Sequence, residues 1–93
     1  MPNSRSLENC TAVVTGASSG IGRAIAEKLG EAGAHVFLAG RNADAMQESK
    51  QNIEKLGGMA SIQIGDIRDI AQVQALVDSA VAATGRLDIM VNN

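Results

Sequence analysis

The chain has 93 residues, 45% of them hydrophobic and 19% charged, and its 8 basic and 10 acidic side chains leave a formal net charge of -2. That balance describes one soluble globular unit with room for a single core, and it excludes a disordered, fibrous or membrane-spanning chain. The charges form no basic stripe and Phe37 is the sole Phe, Tyr or Trp, which excludes a nucleic-acid binder that neutralises phosphates or stacks bases.

The first nine residues are polar, lack the apolar segment of a signal peptide, and are expected to form a leader. Cys10 is the only cysteine, which rules out an intramolecular disulfide and points to a reducing, cytoplasmic location. It reads as a small packing residue at the start of a strand that runs to Thr15. After Gly16, the residues Ile21, Ala24, Ile25 and Leu29 recur at helical spacing, and Gly33 sits where a helix end favours a left-handed residue. Val36 to Ala39 is a continuous apolar run, the mark of a parallel strand covered on both faces. Met46, Ser49, Ile53 and Leu56 then keep one face of a second helix, which stops at Gly57 and Gly58 ahead of a third strand over Ser61 to Ile64. Asp69 and Gln72 resemble a capping box, followed by a third helical stripe of Ile70, Val73, Val77, Ala80, Val81 and Thr84 that Gly85 ends. Leu87 to Val91 reads as a fourth strand. His35, the only histidine, lies beside the Gly33 turn and is expected to have a surface or packing role, and Arg23 is expected to be an exposed helix residue.

A βαβαβαβ alternation implies a parallel sheet with helices on both faces. Right-handed crossovers and the strand order 3-2-1-4 put the first two helices on one face and the third on the other, because the third crossover reverses direction. Open sheets of this kind bind ligands at the carboxyl ends of the strands beside that reversal, where Gly16 to Gly22 must lie. Gly16, Gly20 and Gly22 allow a tight turn there and let backbone amides at a helix N-terminus approach an anion such as a pyrophosphate. The spacing fails the P-loop pattern, since no Gly-Lys-Ser/Thr follows. The whole reads as a Rossmann-type, doubly wound α/β fold with a dinucleotide site.

Thr15 through Gly22 match T-G-x-x-x-G-x-G, and with Asp66-Ile67 after the third strand and Asn92-Asn93 after the fourth, the sequence resembles the short-chain dehydrogenase/reductase family, in particular members of the 3-oxoacyl carrier-protein reductase type. The resemblance implies a cofactor-binding set of Gly16, Ser18, Ser19, Gly20, Ile21 and Gly22 in the phosphate turn, Asp66 at the adenine amino group, Ile67 at the adenine through its backbone, and Asn93 near the adenosine ribose. At the end of the second strand an acid would bind the 2'-hydroxyl of NAD and repel the 2'-phosphate of NADP. Gly40 stands there instead and Arg41 follows, so NADP is the expected cofactor and NAD the second candidate. A departure tempers the preference: many NADP-dependent relatives carry a basic residue where this chain has Ser19.

The resemblance further implies a small-molecule carbonyl or alcohol substrate, a homo-oligomeric complete protein, and a downstream Tyr-x-x-x-Lys pair whose tyrosine serves as general acid and base. The chain contains no tyrosine. Residues 1–93 are therefore read as the N-terminal, cofactor-binding part of a longer domain, with no catalytic residue of their own and no activity alone. Their fourth strand would present an open edge, so the isolated chain is expected to be marginally stable or self-associating. Two other readings are a nucleotide-binding module without chemistry and an S-adenosylmethionine-dependent methyltransferase fold, which shares the first βα unit but lacks the Asn-Asn ending.

Overall fold

The computed structural model describes residues 6–18 and 20–92. The element order is β1 (Thr11–Thr15), α1 (Gly20–Glu31), β2 (His35–Gly40), α2 (Ala43–Lys55), β3 (Met59–Ile64), α3 (Ile70–Thr84) and β4 (Ile89–Val91). The four strands form one parallel sheet in the order β3-β2-β1-β4. This is the expected Rossmann-type α/β order.

Strand residues alternate between the two faces. Ala12, Val14, Val36, Leu38 and Ala60 point to the side that carries Ala26 of α1 and Met46 and Ile53 of α2. Val13, Phe37 and Ala39 point to the other side, where Leu76 and Ala80 of α3 cover them. The first two helices therefore share one face and the third lies opposite. Because all strands are parallel, Thr15, Gly40, Ile64 and Val91 end together at one rim. The loop after β1 and the loops after β2 and β3 meet there.

In α1, and in part of α3, the buried line differs from the one the apolar periodicity marks, whereas in α2 most of it agrees. In α1 the buried face is Gly22, Ala26 and Gly30, whereas Ala24 is exposed and Ile21 is 72% exposed. A methyl group at Gly30 would stand 2.6 Å from Cγ2 of Ile53, so the small-residue face is what lets α1 approach α2. In α2 Met46, Ser49 and Ile53 are buried as expected, but Leu56 is the C-cap and half exposed. In α3 the buried residues are Leu76 and Ala80, while Ile70 is 86% exposed and Val81 is also exposed. Ile70 is the first helical residue and precedes the turn at which α3 meets the sheet.

Capping fixes where the helices begin and end. Asn42 accepts from the Ala45 N–H at 3.1 Å to start α2, and Asp69 accepts from the Ala71 N–H at 2.9 Å to start α3. Gly85, at φ 84°, takes the left-handed conformation that closes α3. The Asp69–Gln72 pair departs from a reciprocal capping box. Gln72 Nε2 donates to Asp69 Oδ2 at 3.2 Å, and its carbonyl oxygen accepts from the Asp66 N–H at 2.6 Å. The fourth strand begins at Ile89 rather than Leu87, because Asp88 first exchanges bonds with Thr11: the Asp88 N–H donates to Thr11 O at 2.9 Å, and the Thr11 N–H donates to Asp88 Oδ2 at 2.7 Å. Leu87 packs instead against the α3-side cluster.

Residues placed outside the site fall into structural roles. His35, at the opposite rim, stacks on Phe37 with ring centroids 4.5 Å apart and bonds Ser61 Oγ through Nε2 at 3.1 Å. Its partial burial disfavours the imidazolium and lowers its pKa. Cys10 and Leu7 pack against the α1/α2-side core. Residues 6–9 of the expected leader form a turn tied down by the Leu7 N–H bonding Ala32 O at 2.8 Å. Arg23 is half-buried rather than exposed, bonding Glu27 at 3.0 Å and Glu48 of α2 at 2.8 Å. Burial pushes the Glu27 carboxyl up, but hydrogen bonds from Asn52 and Arg23 outweigh it and hold the group below its ordinary value.

Candidate cofactor site

The turn after β1 uses its glycines in two ways. Gly16 and Gly20 have φ of 62° and 61°, a left-handed conformation that a side chain disfavours. At Gly20 a methyl group would meet no atom within 4 Å, so its requirement is conformational alone. Gly22 is buried on the inner face of α1, where it serves close helix packing. The Ala17 N–H donates to Ala39 O at 3.3 Å and the Gly65 N–H to Gly40 O at 3.0 Å. These bonds tie the turn and the end of β3 to the end of β2.

The three strand ends border an open groove of about 380 Å³, lined among others by Gly16, Ser18, Gly40, Arg41, Asp66, Ile67 and Arg68. The structure thus brings together five of the ten expected site residues, Gly16, Ser18, Arg41, Asp66 and Ile67, drawn from three separate loops. A side chain at Gly40 would crowd this groove, since its Cβ would lie 3.0 Å from Ser18 Oγ and 3.4 Å from Met46 Sδ. Ile21 is turned to solvent on the first turn of α1 and Gly22 is buried, so neither is among the residues that line the groove. Ser19 and Asn93 lie outside the described residues. Asn92 is described, and its Oδ1 accepts from Thr15 Oγ1 at 3.3 Å.

Asp66 is fixed from several directions. Its N–H is held by Gln72, its carbonyl accepts from the Asp69 N–H at 3.0 Å, and its carboxylate is clasped by Arg68. The Arg68 N–H and Nε both donate to Oδ1, at 2.9 and 3.1 Å, and an Nη donates to Oδ2 at 3.1 Å. These bonds favour the ionised form and lower the Asp66 pKa from 3.8 to about 2, with a smaller through-space contribution from Arg41. The same contact raises the pKa of Arg68. Among the described residues no carboxylate lies within ion-pair distance of Arg41, which is exposed at the mouth of the groove. Ile67 packs its side chain against the α3-side cluster and also lines the groove.

Two residues here escaped the sequence reading. Arg68 was legible in principle, since Asp-x-Arg spacing places opposite charges within reach across a turn. Gln72 reads in the sequence only as a capping residue, and its bond to Asp66 depends on how the loop folds back onto α3.

The family model described as short chain dehydrogenase matches residues 10–93. The chain belongs to the short chain dehydrogenase family. Among its relatives is hydroxysteroid dehydrogenase-like protein 2 of Xenopus laevis, 42% identical over 100 aligned residues that take in 100% of this chain and 24% of the relative. A fatty acyl-CoA reductase of Acinetobacter baylyi is 42% identical over 82 residues, 88% of this chain and 28% of that protein. Among solved structures, a metagenomic short-chain oxidoreductase in complex with NADP superposes with a TM-score of 0.90 at 42% identity, covering 95% of this chain and 40% of that one. A hydroxysteroid dehydrogenase from Escherichia coli gives 0.89 at 38% identity, covering 98% and 39%. The chain of the short chain dehydrogenase family described here thus spans about a quarter of the length of these sequence relatives and about two fifths of these structures. No helix among the described residues is long and apolar enough to cross a membrane.

Proposed function

We propose that the protein is an oxidoreductase that moves hydride between a nicotinamide cofactor, NADP in preference to NAD, and a carbonyl or alcohol substrate, and that these residues hold the adenosine and pyrophosphate half of the cofactor. The carrying observation is the groove at the strand ends, where the glycine turn, the Gly40-Arg41 pair and the Asp66-Ile67 pair converge on one space. Amides at the start of α1 take the pyrophosphate, which the helix dipole favours. Gly40 presents no carboxylate to a 2'-phosphate, and Arg41 offers it a planar fork of donors. Asp66 accepts the adenine amino group, the Ile67 backbone borders the adenine, and Ser18 supports the phosphate turn. Ser19 and Asn93 belong to the set through the family motif. When bound, the nicotinamide supplies the hydride donor or acceptor. Self-assembly of the complete protein and a cytoplasmic location are part of the same proposal.

Titration of the protein with NADPH and NADH tests it. NADPH is expected to bind about 10- to 150-fold more tightly, the value of one charge-assisted hydrogen bond. Equal affinities, or tighter NADH, would overturn the assignment of Arg41, and binding of neither would overturn the cofactor reading. The second reading is a nucleotide-binding role without chemistry. Cofactor binding without hydride transfer to any carbonyl by the whole protein would favour it.

A further inference from the structure

An ionised carboxylate offers about four acceptor sites, two on each oxygen. In Asp66 three are taken by one residue: the Arg68 N–H and Nε occupy Oδ1, and an Nη occupies half of Oδ2. Gln72 and Asp69 hold the Asp66 backbone on both sides, so the side-chain torsions are its remaining freedom and the Arg68 fork removes them. Asp66, Arg68 and Arg41 border the same groove.

From this count we infer that Arg68 is the positioning residue for base recognition: it saturates Asp66 Oδ1 and leaves one acceptor site, on Oδ2, for an exocyclic amino group of the bound base. The inference rests on the assignment of Asp66 to the adenine amino group. It adds that the groove selects a base with an amino donor over one with a carbonyl at the same position, and that Arg68 sets this selectivity without itself touching the base. Charge alone does not suffice, because only a guanidinium spans both carboxylate oxygens from a residue two positions on; a lysine ammonium reaches as a single point. The clasp also neutralises a carboxylate that shares the groove with Arg41, so the groove keeps its attraction for a phosphate.

The test compares NADPH with its hypoxanthine analogue, in which the adenine amino group is replaced by a carbonyl oxygen, on the wild-type protein, Arg68→Gln and Arg68→Lys. Arg68 is 74% exposed at its side chain, so both variants should keep the fold, and an unchanged melting temperature verifies this. Wild type is expected to prefer NADPH by about tenfold or more. Arg68→Gln is expected to lose most of that preference through weaker NADPH binding, with affinity for the hypoxanthine cofactor little changed, and Arg68→Lys should not restore it. A merely structural role would weaken both cofactors alike. If wild type prefers adenine and either variant keeps the full preference, the positioning role is wrong while the Asp66 assignment stands. If wild type shows no preference between the two bases, the Asp66 assignment fails and this inference with it.

Discussion

Gly30→Ala tests the packing that sets the glycine turn over the sheet. Alanine is about 1 kcal/mol better than glycine inside a helix, so propensity alone predicts a more stable protein. The packing predicts the reverse. The new Cβ would lie 2.6 Å from Cγ2 and 2.9 Å from Cγ1 of Ile53, against ordinary contacts of about 3.5–4.0 Å. Ile53 is fully buried, β-branched and stiff, and Gly58 crowds the same place, where an added Cβ would lie 2.8 Å from both Ile53 Cγ2 and Gly30 O. Relief therefore requires α1 to move away from α2 by about an ångström. Overpacking of this kind costs roughly 1–3 kcal/mol, and with no room to yield the upper end applies, for a net loss of about 2 kcal/mol. In a domain of this size that lowers Tm by roughly 8–16 °C. Urea denaturation at constant m would measure it. Ile53→Ala alone should cost about 2–5 kcal/mol, and combined with Gly30→Ala it should cost less than the sum because the clash is gone. A neutral or stabilising Gly30→Ala, or strict additivity in the double variant, would refute the close approach of α1 and α2.

Two further predictions concern the rim itself. The Asp66 carboxyl titrates near 2 rather than 3.8 while clasped by Arg68, so its depressed pKa contributes stability that is complete above about pH 4 and is lost as pH falls through about 2; carbon-detected NMR titration should give a midpoint near 2, and one near 3.8 would show that the clasp does not form. Gly40→Asp puts a carboxylate where a 2'-phosphate would sit and should shift preference toward NADH. Ser18 Oγ, 3.0 Å from the new Cβ, must rotate aside to admit it. Comparative titration reads the shift, and an unchanged NADPH preference would remove Gly40 from the discriminating position.

Strand order and the division of helices between faces were legible because both follow from the direction in which each crossover moves, and the apolar runs at Val36–Ala39 and after Cys10 left little doubt which segments were central. Helix faces were less legible. Periodicity weighs bulky apolar residues, yet α1 buries Gly22, Ala26 and Gly30 and leaves Ile21 in water, so its inward face has almost no hydrophobic signature. In α3 apolar residues occur all round, and Leu76 could be chosen over Ile70 or Val81 only once Phe37 and Ala39 were known to lie beneath it. At the rim, Gly16, Gly40, Arg41 and Asp66 could be named from the motifs and the strand ends, because parallel strands necessarily deliver them to one edge. The orientation of Asp66 could not. It depends on a loop folding back until Gln72 meets its N–H and on an arginine turning toward its own near neighbour, both set by tertiary contact rather than by spacing along the chain.

The most direct measurement is amide chemical-shift mapping of the protein on addition of NADPH. The account predicts changes concentrated at the turn from Gly16 to Gly22, at Gly40 and Arg41, and from Gly65 to Arg68, with the opposite rim around Gly33, Gly57 and Gly85 unmoved. Saturable changes centred on that opposite rim, or no changes with NADPH in large excess, would contradict the placement of the cofactor on this groove.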